Sequence, residues 1–137
     1  MLNVAHFAIP THDLDVAADF YPRVLGAEPA RRYDDRVTFK FFDHQVVCHL
    51  SPELAPGDQT QPDFQVAAYP RHYGITFVFE HEYDDVRRRV EESGWPYVGP
   101  DTTRFEGLPE KHRTFFMHDP TRNFIEFKWY LDPRWVY

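Results

Sequence analysis

Three side chains in this 137-residue sequence can do chemistry together: His6, His72 and Glu126. Glu126 lies in the run Phe124-Ile125-Glu126-Phe127-Lys128-Trp129-Tyr130, which is aromatic or β-branched apart from Glu126 and Lys128. A carboxylate carried into an apolar strand is costly without a partner. The candidate partners are His6 and His72, which open two runs of matching pattern, His6-Phe7-Ala8-Ile9 and His72-Tyr73-Gly74-Ile75. Two imidazoles and one carboxylate suit a divalent metal and leave coordination positions for water, oxygen or substrate. His49 adds a further imidazole, set deep in the run Gln45 to Ser51.

The elements that must position these residues follow from periodicity. Residues 4–9 alternate as a strand does, with His6 opposite Phe7 and Ile9. Thr11-His12-Asp13 supplies cap candidates for a helix through Leu14, Ala17, Ala18, Tyr21 and Leu25, with Gly26 as its stop. Pro22 removes a helical hydrogen bond and is expected to kink or shorten that helix. Glu28 to Tyr33, Arg36 to Phe42 and Gln45 to Ser51 read as an antiparallel meander, with Cys48 on the apolar side of the third strand. The proline-rich stretch 52–70 reads as a linker. The order then repeats. His72 to Phe79 is a strand, Tyr83 to Glu92 a helix stopped at Ser93-Gly94, and Trp95 to Val98 a strand; Gly99 to Lys111 is irregular, and Arg113 to His118 and Arg122 to Tyr130 are strands. The last strand follows the turn residues Asp119-Pro120 and Asn123.

Each half therefore reads βαβββ, an α+β chain of two modules: about 1–53 and about 71–130, joined by a linker of about 54–70 and followed by a tail, 131–137. The whole is expected to be a single domain. If the large apolar residues cover the sheet beneath the helices, His6, His49, His72 and Glu126 enter the concave interior. The small Ala8 and Gly74 on the same face are expected to leave room for a ligand.

Composition bounds the function. Hydrophobic residues make up 42% and aromatics 18%, which predicts a globular protein with bulky core or pocket walls. The net charge of -7, with no long Lys/Arg block, argues against nucleic acid or an anionic membrane as partner. No apolar run approaches the roughly 18 to 20 residues of a membrane span, and no signal peptide is recognised. A cytoplasmic location is the resulting expectation. Cys48 is the only cysteine, so an intrachain disulfide is excluded.

The pieces His6-Phe7-Ala8-Ile9 with Asp13-Leu14, Phe20-Tyr21 to Leu25-Gly26, His72-Tyr73-Gly74-Ile75 and Asp119-Pro120 through Asn123 to Glu126 resemble, in order and spacing, the vicinal oxygen chelate superfamily. This is the glyoxalase, bleomycin-resistance and extradiol dioxygenase group. The resemblance implies two βαβββ modules forming a curled mixed sheet around a central metal, with His6, His72 and Glu126 as ligands. Phe41-Phe42-Asp43-His44 through Ser51, Arg104-Phe105-Glu106-Gly107 and Phe124 to Lys128 resemble a small bacterial subgroup of predicted extradiol-type dioxygenases. In that pattern a histidine in the place of His49 is an acid/base; coordination as a third histidine, or a place in the core, are the other readings. Phe115-Phe116 stands where ring-cleaving relatives carry a Tyr.

A metal-dependent enzyme acting on a small vicinal-oxygen substrate follows from the resemblance, with extradiol-type dioxygenase first. The alternatives are a glyoxalase-like lyase or isomerase and a metal-free binding protein of the bleomycin-resistance kind. Fe2+ or Mn2+ is favoured; Zn2+ or Ni2+ also accepts these side chains. Arg104, with Arg113 or His112, is expected to meet a substrate carboxylate. The expected assembly is a homodimer.

Overall fold

Alternating sequence becomes two curled, open four-stranded mixed sheets, each with a helix on its apolar face. The computed structural model describes residues 3–57 and 69–137. Contacts divide the chain into two compact units, one of Met1–Gln59 with Asp119–Asn123, the other of Thr60–His118 with Phe124–Tyr137. Most of the expected linker, 58–68, lies outside the described residues.

In the first unit the strand order is β1-β4-β3-β2, from β1 (His6–Thr11), β2 (Glu28–Arg32), β3 (Arg36–Phe41) and β4 (His44–Leu50). β1 pairs with β4 in parallel, and the meander β2–β3–β4 is antiparallel. Helix α1 (Leu14–Leu25) begins at Asp13, whose carboxylate accepts from the Asp15 and Val16 amides, and ends at Gly26 in the left-handed conformation, φ 72°. Pro22 does not shorten the helix. The helix continues to Leu25 because Tyr21, Val24 and Leu25 are buried on either side of the proline, and the Gly26 amide closes the last turn on the Pro22 carbonyl. Tyr21 stacks on Phe39 at 5.1 Å beneath it.

The second unit has the order β5-β8-β7-β6, from β5 (Tyr73–Phe77), β6 (Gly99–Arg104), β7 (His112–His118) and β8 (Phe124–Tyr130). Helix α2 (Glu80–Ser93) buries Tyr83, Val86 and Val90. Ile125, Phe127, Phe115 and Met117 are buried, and Phe115 meets Phe127, Tyr83 and Tyr97 at 5.1–5.4 Å. The expected strand at Trp95 to Val98 is displaced to Gly99–Arg104. Gly99-Pro100-Asp101 has turn composition, but β6 is an edge strand with an irregular register between Gly99 and Thr102, where proline is tolerated. The helix also starts earlier than Tyr83, at Glu80. Its N-cap is Phe79, which offers no side-chain acceptor, and Glu82 reaches back to the Phe79 amide instead.

Among the described residues, no helix is long and apolar enough to cross a membrane.

Candidate functional site

Glu126 occupies the middle of β8, with β5 on one side and β7 on the other. The register makes Gly74 of β5 and Phe116 of β7 its neighbours. The residue is 7% exposed, and both carboxylate oxygens are engaged. Thr114 donates its hydroxyl to Oε1 at 2.8 Å, and His72 Nε2 stands 3.0 Å from Oε2. The first contact anchors Oε1, and Oε2 faces the imidazole just before the start of β5. The His72 ring is held edge-on to Phe116, centroids 5.4 Å apart, and is partly open to solvent. Two ligand atoms each about 2.1 Å from one metal and about 90° apart would lie about 3.0 Å from each other, so the pair as placed also fits two adjacent coordination positions. A pocket of about 220 Å³ opens here, lined by His72 to Thr76, Glu126 and Lys128.

Gly74 lines this pocket and is small for a packing reason as well. A Cβ at this position would lie 1.6 Å from the Glu126 carbonyl oxygen, so the glycine lets β5 close on the main chain of β8 at Glu126.

His6 and His49 lie in the first unit. Both are exposed and share a face of the sheet. The residue level with His6 on β4 is Gln45; His49 is level with Pro10, four residues further on, about 13 Å at about 3.3 Å per residue. Gln45 escaped the sequence reading because only the parallel register selects it. Among the described residues, no group of three or more His, Cys, Asp or Glu side chains gathers as a metal-holding cluster.

The residues expected to meet substrate separate by face. Arg104 and His112 share the Glu126 side of their sheet, level with Tyr130 and two pair-rows from Glu126. The Arg104 guanidinium lies over the rings of Tyr69 and Phe105, at 5.2 and 5.6 Å. His112 is buried against Tyr130, and its Nδ1 lies 2.9 Å from the Glu110 carbonyl. A carbonyl only accepts, so Nδ1 carries the proton and, in the neutral ring, Nε2 the lone pair. Arg113 points the other way. It bonds Glu80 at 2.9 Å, Asp84 at 3.1 Å and Asp101 at 2.7 Å over the Tyr83 ring, beneath α2. Three carboxylates occupy this guanidinium, which corrects the expectation that it faces a substrate. Asp101 is buried enough to disfavour its charge, yet bonds from Arg113 and Tyr83 hold it below the usual carboxylate range.

Away from the pocket, Asp119 closes the first unit. It is 2% exposed and accepts from the Tyr21 hydroxyl, the Asn123 amide side chain and the Thr121 and Asn123 backbone amides at 2.7–2.9 Å. Asn123 donates in turn to the Pro10 carbonyl. Burial raises the Asp119 carboxyl despite these bonds. Removing the Tyr21 hydroxyl as Tyr21→Phe should lower stability by about 1–3 kcal/mol, read from urea unfolding, since a buried acceptor loses a donor. Burial, and secondly the Asp119 charge, push the Cys48 thiol far above its ordinary value. Native protein should therefore resist a chromogenic disulfide reagent at pH 8 and react at one thiol once unfolded; rapid native labelling would contradict the placement of Cys48.

The family model of the Glyoxalase/Bleomycin resistance protein/Dioxygenase superfamily matches residues 3–127. The chain is similar to a crystal structure of a glyoxalase/bleomycin resistance protein/dioxygenase from Alicyclobacillus acidocaldarius, at 46% identity and TM-score 0.86, covering 98% of this chain and 96% of that one. It is also similar to Glyoxalase domain-containing protein RDO1 of Mycosarcoma maydis, 25% identical over 96% of this chain and 70% of the relative. The fold is shared with lactoylglutathione lyase from Agrobacterium tumefaciens, at 20% identity and TM-score 0.67 over 98% and 97% of the two chains.

Proposed function

From membership of the glyoxalase/bleomycin resistance protein/dioxygenase superfamily, to which this chain belongs, we propose a metal-dependent enzyme that acts on a small substrate with two adjacent oxygens, an extradiol-type dioxygenase first among the reactions. The observation that carries this reading is the buried Glu126 with one oxygen fixed by Thr114 and the other facing His72. His72 Nε2 and Glu126 Oε2 would hold the metal, and the resemblance adds His6 as the third ligand. A divalent metal bound there supplies a positive charge that favours the ionised form of adjacent substrate oxygens and, with iron or manganese, access to oxygen chemistry. The chain's own part is positioning: Thr114 orients the carboxylate, Phe116 steadies the His72 ring, and Arg104 offers a fork to a substrate carboxylate near the mouth. His49 is the candidate acid/base. A homodimer in a soluble, cytoplasmic setting is part of the same proposal.

The metal-free binding protein is the second reading, since the second unit by itself supplies two ligands, His72 and Glu126. The two readings part in one experiment: protein purified without chelator, analysed for metals, then assayed for oxygen uptake with a catechol panel after anaerobic iron loading. Stoichiometric iron or manganese with oxygen uptake supports the dioxygenase. Zinc or nickel without oxygen chemistry moves the reaction to a lyase or isomerase, and no metal under any loading leaves the binding protein. In the same assay His49→Gln should leave metal content unchanged, as its position level with Pro10 argues against coordination beside His6. A turnover loss of about a hundredfold or more would then mark a proton-transfer role; loss of metal would make His49 a ligand.

A further inference from the structure

β8 carries a cation two residues beyond its carboxylate. Lys128 shares a face with Glu126 by strand period, and the register sets it level with Thr76 of β5 and Thr114 of β7. Lys128 and Thr76 line the same pocket as His72 and Glu126. Among the described residues the Lys128 ammonium has no carboxylate within ion-pair distance, and it lies 5.8 Å from the centre of the Tyr130 ring. The Thr76 hydroxyl likewise has no hydrogen-bond partner among them. Elsewhere in this unit Arg87, Arg88, Lys111 and Arg113 each hold a carboxylate. In a chain of net charge -7, acidic side chains are abundant, yet among the described residues none is supplied to Lys128.

We propose that this pocket is a carboxylate subsite: Lys128 Nζ and Thr76 Oγ1 receive one carboxylate group of the ligand beside the His72–Glu126 pair. One ammonium and one hydroxyl donor match one monoanionic group in charge and in donors. The inference rests on the preceding reading only in placing the ligand's other oxygens at His72 and Glu126, and it narrows the substrate class to small carboxylated molecules. It also distinguishes Lys128 from Arg104, which stands two strands away and one row further, over Tyr69 and Phe105, outside this pocket.

Calorimetric titration of metal-stripped protein with benzoate and with its neutral isostere benzamide tests the subsite without any metal. Benzoate should bind at least about tenfold more tightly than benzamide, since a charged contact of this kind discriminates by that order. Lys128→Met should bring benzoate down to the benzamide level, and Thr76→Val should fall between. Glu126→Gln should bind benzoate at least as tightly as the parent, because it removes a like charge from the pocket. Equal binding of benzoate and benzamide, undetectable benzoate binding, or parental benzoate affinity in Lys128→Met overturns the proposal. Cooperative urea unfolding followed by the fluorescence of Trp95 and Trp129, in the same unit as the substitutions, verifies that each variant is folded. Metal content of the same variants before stripping, expected to be unchanged in Lys128→Met, reports separately on the His72–Glu126 pair, so failure of the subsite and failure of the metal reading are told apart.

Discussion

Gly74→Ala should be the most damaging single-methyl change in the second unit. The added Cβ would meet the Glu126 carbonyl oxygen at 1.6 Å, and that oxygen is main chain, with no flexible end to swing away. Relief requires β5 to separate from β8 along the register Gly74↔Glu126, which breaks the pairing on both sides of the contact. Core over-packing commonly costs about 1–3 kcal/mol, and displacement of a paired strand should exceed it, reaching about 4 kcal/mol. Urea unfolding would show this as a lowered midpoint. The same displacement moves His72, two residues earlier on the same face, away from Oε2. The variant should therefore lose metal or ligand binding even where it remains folded. A midpoint close to that of the parent would mean that β5 and β8 do not approach as described.

Glu126→Gln makes the opposite separation, large in binding and small in stability. The amide keeps the shape of the carboxylate, and its oxygen still accepts from Thr114, so metal-free unfolding should change by no more than about 1 kcal/mol. The charge is lost, and with it the anionic ligand at the centre of the pair. Changes to the outer partners of metal ligands cost about 10–100-fold in affinity, so removing the carboxylate itself should cost at least about 100-fold. Equilibrium dialysis against the loaded metal, alongside thermal unfolding of the stripped protein, reads both quantities. Undiminished metal binding in Glu126→Gln would refute the role given to this side chain.

How much of this was open to reading from residues alone differs by kind of contact. The order of strands and helices is legible because apolar period, Asp13 at one helix start and Gly26 and Gly94 at the helix ends all agree. β6 is not, since an edge strand needs no continuous apolar face and so can be written in residues with turn composition. An imidazole partner for Glu126 is legible from cost: a carboxylate among Phe and Ile demands one, and His72 opens a strand of the same pattern. Thr114 is not legible, as it meets Glu126 on a diagonal of the β7–β8 register that alternation alone leaves undetermined. The same gap separates Gln45 from His49. Parity places both on the face of His6, and only the pairing of β1 with β4 says which is level with it. Arg113 is the reverse case. Its parity already turned it away from Thr114 and Phe116, but a guanidinium in a short strand is easily taken for a ligand contact until three carboxylates are found around it.

The closure of the first unit by Asp119–Asn123 has a bearing on how the chain is made. Synthesis runs from the N-terminus, and domains ordinarily fold as they emerge. Here the β1–β4 sheet and α1 leave the ribosome early, while the carboxylate that accepts from the Tyr21 hydroxyl and the amide that donates to the Pro10 carbonyl arrive only after α2 and β7 have been made. Until then the Tyr21 hydroxyl lacks the Asp119 acceptor. Its final locking waits on residue 123, so the two similar halves are not interchangeable cassettes: the earlier one is finished by the later.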